Sequence, residues 1–223
     1  MKRNILNTAM TVLFLLLMNY RFTGNLSHEI LGAVVLLLAF WHNGLNLRWY
    51  RTFFKGRQSG QRLLATVMNF LLAAALLVSI ATGLFISQSL LPFIAVRGTN
   101  TLWLHEIHQS SSYVCFILIG LHLGLQGDAL WIRLKHWLGA ERFCEKYAVL
   151  GKGLSIGIIV YGIYASFSNH IGAKLFMEHS FGWGKAPSAT QFFMDYLMIL
   201  GCYTGLACSV KKFLIWSERL GKK

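Results

Sequence analysis

Four histidines set in apolar sequence are the residues best placed to do chemistry: His28 with His42, and His108 with His122. Each pair is separated by 14 residues. A straight helix turns about 100° per residue, so this spacing falls only about 40° short of four turns. At the repeat of about 3.5 found in left-handed bundles it closes four turns. Both imidazoles of a pair therefore share one helix face, roughly 21 Å apart along the axis. Neutral imidazole is the commonest protein ligand for metals and an axial ligand of haem iron. Two such helices side by side would present two facing couples of imidazole, a cage for two stacked haems. Iron with both axial positions filled by protein keeps no open site for oxygen or substrate. Its easy chemistry is to take and pass one electron.

The residues between the histidines suit a flat cofactor. Gly32, Val35 and Ala39 share the face of the first pair, and Ser111, Ser112, Cys115 and Leu118 that of the second. Small side chains let a porphyrin approach the helix closely. Gly120 and Gly124 flank His122 as G-x-x-x-G, which reads equally as cofactor room or as helix packing. A lone intramembrane histidine is as well explained by an interhelical hydrogen bond. Four of them in two equally spaced pairs are not, and ionisable groups in a membrane are usually functional. A histidine-lined path for metal ions or protons stands as the alternative.

The elements that must carry these histidines are membrane helices. The chain is 55% hydrophobic and 13% charged, where a soluble domain carries about 25% charge. Its apolar residues fall in blocks at approximately 5–23, 27–47, 63–88, 102–125, 148–168 and 190–211. Each is near the ~20 residues that span about 30 Å of hydrocarbon as a helix. The expectation is an all-α polytopic bundle of six transmembrane helices. Residues 1–126 would form a four-helix di-haem core, and residues 127–223 two further helices with loops and a basic tail.

The formal charge of +13 is gathered in short clusters between the apolar blocks, as topology determinants are, rather than in a nucleic-acid-binding patch. Six spans put 17 of the 21 Lys and Arg on the side of the two termini. Only Arg21, Arg97, Lys174 and Lys185 fall on the other. By the positive-inside rule both termini are cytoplasmic. The second and fourth spans then run parallel, from outside to inside. That topology pairs His28 with His108 for an outer haem and His42 with His122 for an inner one. The basic start followed by an apolar run also resembles a secretory leader, but no small-x-small cleavage site follows it. Cys115, Cys144, Cys202 and Cys208 show no paired spacing, and C-x-x-C-H is absent, so neither disulfides nor covalent c-type haem is expected. Trp41, Trp49, Trp103 and Trp131 fall near span ends, as an interfacial belt would.

Two segments, TGNLSHEILGAVVLLLAFWHNGLNLRWY and LHEIHQSSSYVCFILIGLHLGL, resemble the flavinylation-associated cytochrome family of bacterial membrane proteins. The shared pattern is Thr23-Gly24, then His28-Glu29 with Gly32, then His42 before Leu45, Asn46 and Trp49, and His122 through Leu125. The resemblance covers about 125 residues and the first four spans. It implies two b-type haems, a place in membrane electron transfer in a bacterial inner membrane, and flavin-carrying or other redox partner proteins. Family members often follow His-Leu-Gly-Leu with another histidine, where this chain has Gln126; a fifth ligand is not implied. Electrons would pass between a quinone pool and a partner protein, as in an oxidoreductase subunit. A ferric-reductase-like domain served by a separate flavin protein is a second version, and a structural anchor indifferent to the histidines a third.

Other residues read less sharply. His105, three positions before His108, is an alternative outer ligand, although its spacing of 17 to His122 lies about 100° off a whole number of turns. Glu29, His105 and Glu106 would gather at the outer surface, as a solvated cluster or as a proton exchanger for a quinone. Arg48, Arg51 and Arg133 could pair with the inner haem's propionates or serve topology alone. His136, His170 and His179 read as loop residues, and Asp195 as interfacial.

Overall fold

The computed structural model describes residues 2–52, 59–98, 100–127, 148–178 and 187–220. Trp131, Arg133, His136, Cys144 and His179 lie outside the described residues. The rest is helical, with no strand among the described residues. In chain order the helices are α1 (Lys2–Leu17), α2 (Tyr20–Leu45), α3 (Leu47–Thr52), α4 (Gly60–Ile86), α5 (Asn100–Leu125), α6 (Ala148–Ser168), α7 (Ile171–Leu175) and α8 (Ala189–Leu220).

Every apolar block falls on a helix, but four helices meet the length and hydropathy needed to cross a membrane: α2, α4, α6 and α8. In three of these only 11% of the apolar window is buried, and in α8 33%. Such surfaces are stable against lipid, and they mark a multi-pass membrane protein. The other two blocks differ for separate reasons. The α1 helix has 16 residues, about 24 Å at 1.5 Å per residue, which is short of about 30 Å of hydrocarbon. The α5 helix has 26 residues, but His108, Gln109, Ser110, Ser111, Ser112 and His122 lower its hydropathy. The residues that could do chemistry are thus the ones that make α5 a poor lipid-facing helix. It is accordingly well buried, with Tyr113, Cys115, Phe116, Leu118 and Leu125 in the core.

The break between the first two blocks lies at Met18 and Asn19 rather than near residues 24–26. Gly24 instead interrupts α2 with φ 69° and ψ 175°. That region of the backbone map is nearly closed to residues with a Cβ. The Thr-Gly ahead of His28 therefore marks a kink, and α2 runs helically from there to His42.

The chain divides into two compact units, and α4 and α5 each contribute to both. The first unit holds residues 1–58, 73–115 and 173–189. Here α1 packs along α2, burying Leu6 and Phe14 of one and Val35 and Ala39 of the other. Arg3 donates to the Leu45 carbonyl at 2.6 Å, satisfying one of the acceptors that a helix C-terminus leaves open. A residue read as a topology charge thus also caps α2. Glu29 fastens the turn after α4. Its carboxylate accepts from the backbone N–H groups of Gln88, Ser89 and Leu90 at 2.9, 3.1 and 2.6 Å. It also accepts from the Ser87 hydroxyl at 2.8 Å and the Asn25 amide at 3.0 Å.

The second unit holds residues 59–72, 116–172 and 190–223, and α8 is its spine. A Cβ on Gly124 would run into the Thr204 carbonyl, and one on Gly162 into the Met198 carbonyl. Backbones meet this closely only where a side chain is missing. The G-x-x-x-G at 120 and 124 therefore packs α5 on α8, with Thr204 donating to the Gly120 carbonyl at 3.1 Å. Lys211 donates to the Leu125 carbonyl at 2.9 Å, closing the end of α5 as Arg3 closes α2. Cys115, Cys202 and Cys208 form no disulfide among the described residues.

Candidate functional site

Of the four histidines, the first unit brings His28 of α2 and His108 of α5 together. Their ring centroids are 6.1 Å apart and their planes inclined at 76°. Tyr20 sets its ring edge against His28 at 5.2 Å. This is the couple expected from parallel second and fourth spans. His105 is exposed, and its Nδ1 donates to the Thr101 carbonyl of its own helix at 2.8 Å, so His108 is the one that meets His28.

His108 is oriented by α4. Its Nδ1 donates to the main-chain carbonyl of Ser79 at 2.8 Å, with the Thr82 hydroxyl oxygen at 3.4 Å from the same nitrogen. Ser79 lies one turn before Gly83. A Cβ at Gly83 would sit 3.1 Å from Cε1 and 3.3 Å from Nδ1 of His108. The missing side chain thus lets the ring reach a carbonyl that already serves the helix, using its second lone pair. Because a carbonyl only accepts, the proton of a neutral His108 lies on Nδ1, and Nε2 carries the lone pair.

The other two histidines have the same arrangement made from side chains. In the first unit His42 Nδ1 donates to the Asn7 amide oxygen of α1 at 3.0 Å. In the second unit His122 Nδ1 donates to the Asn69 amide oxygen of α4 at 2.8 Å. Each bond again directs the lone pair to Nε2, and a partner on the far nitrogen also strengthens that lone pair as a ligand. Sequence reasoning missed Asn7, Asn69, Ser79 and Gly83. Two signals were present. Asn69 and Gly83 are 14 residues apart, the same interval as His108 and His122, and Asn7 is a lone polar residue in an apolar run.

His28 differs. Its Nδ1 is buried with no hydrogen-bond partner. The Leu17 carbonyl interacts with the ring but does not reach hydrogen-bonding geometry at that nitrogen. The Asn19 amide nitrogen, in the turn between α1 and α2, is likewise buried without a partner. Orphaned polar atoms of this kind are costly unless something satisfies them.

Two facing imidazoles form a donor set of the kind that haem iron would take. One metal ion shared by two imidazoles, with metal–nitrogen bonds of about 2.0–2.1 Å, sets ring centroids roughly 6.3 Å apart. The His28–His108 separation matches this to a few tenths of an ångström. Gly32, one turn beyond His28, has nothing within 4 Å of its Cβ position, so the space beside it is open. Among the described residues no three or more of His, Cys, Asp and Glu gather to hold a bare metal ion.

The remaining candidates take structural roles or stay apart. Glu29 is occupied by the loop it fastens, a use for its carboxylate that neither sequence reading named. Ser112 donates to the His108 carbonyl at 2.7 Å, and Ser110 to the Leu175 carbonyl at 2.6 Å. Arg48 and Arg51 are exposed on α3, and His170 sits at positive φ beyond α6. Asp195 is buried, at 5% exposure. No family model matches the chain, and no curated protein or solved structure does.

Proposed function

We propose that the chain is a membrane-embedded b-type cytochrome holding two haems, one between His28 and His108 and one between His42 and His122. It passes electrons across the membrane between a quinone pool and a partner redox protein. Six crossings, α1 and α5 among them, with both termini in the cytoplasm belong to the same reading. The resemblance of residues 23–50 and 104–125 to the flavinylation-associated cytochromes supports it, and suggests a flavin-carrying partner in a bacterial inner membrane.

One observation carries the reading. Three of the four histidines have Nδ1 engaged by an acceptor on a neighbouring helix, which leaves Nε2 unprotonated. An interhelical hydrogen bond alone would need one such contact and would have no use for a repeated tautomer. Haem, when bound, supplies a reversible one-electron change at iron. The protein's part is to hold and aim. His28, His42, His108 and His122 would hold the haems, and Asn7, Asn69 and the Ser79 carbonyl fix the orientation of three of these rings. Gly83 admits the His108 ring, and the apolar helices keep water from the site.

A reduced-minus-oxidised absorption spectrum with pyridine haemochrome quantitation on the purified protein tests this directly. Two b-type haems per chain are expected. A haem-free protein from haem-replete cells would end the reading and leave the histidine-lined transporter in its place.

A further inference from the structure

Asp195 is the most deeply buried carboxylate among the described residues, and the cytochrome reading does not use it. It lies two turns into α8, at 5% exposure. The Tyr161 hydroxyl donates to one carboxylate oxygen at 2.8 Å, and the Asn169 amide to the other at 3.0 Å. Tyr161, Ala165 and Asn169 follow at one-turn intervals along α6 and its end, so they share a face. Ala165 between them is buried at 1% exposure, leaving room for the carboxylate.

A carboxylate inside a membrane helix is expensive and is retained where it acts. Helix pairing alone does not explain it here. Gly162 already admits the Met198 carbonyl of α8, and Gly201 and Gly205 of α8 receive the Ile158 and Ile159 side chains of α6. The contrast with Glu29 is informative. Glu29 receives five donors, four of them from the turn it fastens. Asp195 receives two among the described residues, of the roughly four its oxygens accept. One of those two, Tyr161, is 42% exposed on α6. Tyr164, with its ring centroid 5.9 Å away, is exposed beside it. A phenol that gives its proton to a carboxylate presents a more strongly accepting oxygen on its open side, since linked hydrogen bonds reinforce one another.

We propose that Tyr161 and Asp195 form a binding site for the hydroxylated aromatic headgroup of a quinol entering sideways from the bilayer. The Tyr161 oxygen, polarised by Asp195, accepts the headgroup hydroxyl, and the exposed Tyr164 ring offers an aromatic face for stacking. Asn169 holds the second carboxylate oxygen in place. This rests on the cytochrome reading only in supposing a lipid-soluble redox partner.

The test uses the purified full chain in vesicles of phosphatidylcholine and phosphatidylethanolamine, with a photoreactive azido-benzoquinol as probe. Cross-linked residues are mapped by mass spectrometry, and haem is counted in the same sample. Saturable labelling around Tyr161 to Asn169 is expected, suppressed by excess short-chain quinol. Tyr161→Phe and Asp195→Asn should each reduce it about tenfold, the scale of one charge-assisted hydrogen bond. Asp195→Asn can keep both contacts, because Asn169 can turn its amide oxygen toward the new amide nitrogen. Should that variant lose its helical signal, Tyr161→Phe decides, since it keeps the ring. Unsaturable labelling over all lipid-facing helices would overturn the site, as would wild-type labelling in a folded Tyr161→Phe. Labelling that vanished without phosphatidylethanolamine would do so too, by assigning the carboxylate to a lipid ammonium group. Sited labelling in a haem-free protein would keep this site and end the cytochrome reading. Two haems with unsited labelling would do the reverse.

Discussion

His42 and His122 are each turned by an asparagine side chain and His108 by a main-chain carbonyl, whereas Nδ1 of His28 has no hydrogen-bond partner among the described residues. The same imidazole orientation is thus reached by two means. Toward the C-terminal ends of α2 and α5, orientation depends on single side chains that a substitution can remove. Toward their N-terminal ends it depends on where α4 runs and on the absence of a side chain at Gly83. The first arrangement is adjustable residue by residue. The second is as robust as the helix that provides it, and no substitution at Ser79 deletes the acceptor.

The largest effects should come from the ligands, on which both arrangements depend equally. His108→Ala and His122→Ala are each expected to lower haem content from two per chain to one, measured by pyridine haemochrome. Retention of both haems in either variant would break the comparison at its root, because that histidine would not be a ligand. Next come the asparagines. Asn69→Leu and Asn7→Leu should weaken haem retention by about 10–100-fold, the usual consequence of losing a partner that orients a metal-bound histidine. Transfer of haem to an excess of an apo-globin reads this directly. Wild-type transfer rates in both would show that the side-chain contacts do not orient the rings.

The same contrast explains what was legible in the sequence. The helical blocks were, because length and hydropathy are local properties, and α2, α4, α5, α6 and α8 follow them closely. The couple of His28 with His108 was, because it needs only helix direction. The boundary at Asn19 was not, since Tyr20, Arg21 and Phe22 continue an apolar pattern and nothing local distinguishes a turn there from the kink at Gly24. The sequence counted residues 102–125 as a span, whereas the histidines and serines of α5 keep its hydropathy below that of the four helices apolar enough to cross a membrane. Asn7 and Asn69 were visible as polar residues in apolar runs, but their partners depend on helix neighbours that no spacing within one helix reveals. The Ser79 carbonyl was invisible in principle, because every residue carries one. Asp195 was seen as an interfacial residue, and only the packing of α6 on α8 shows that it is buried.

Gly83 and Thr82 sharpen the comparison at its fine end. In Gly83→Ala the new methyl would stand 3.1 Å from His108 Cε1, so the ring must move by a few tenths of an ångström. The expected result is two retained haems, with a shifted reduced absorption band for one of them. A band shift in both haems would show that the two sites are not independently held. Thr82→Val should do less still. The Thr82 oxygen lies 3.4 Å from His108 Nδ1, beyond the usual range for a strong bond, and its own proton goes to the Val78 carbonyl at 2.8 Å. Valine has nearly the same shape, and the Ser79 carbonyl remains at 2.8 Å. Haem content, spectrum and transfer rate are all expected at wild-type values. A loss approaching that of Asn69→Leu would mean that a hydroxyl, rather than the main chain, turns His108. The two pairs would then be prepared by one means, and His28 alone would stand apart.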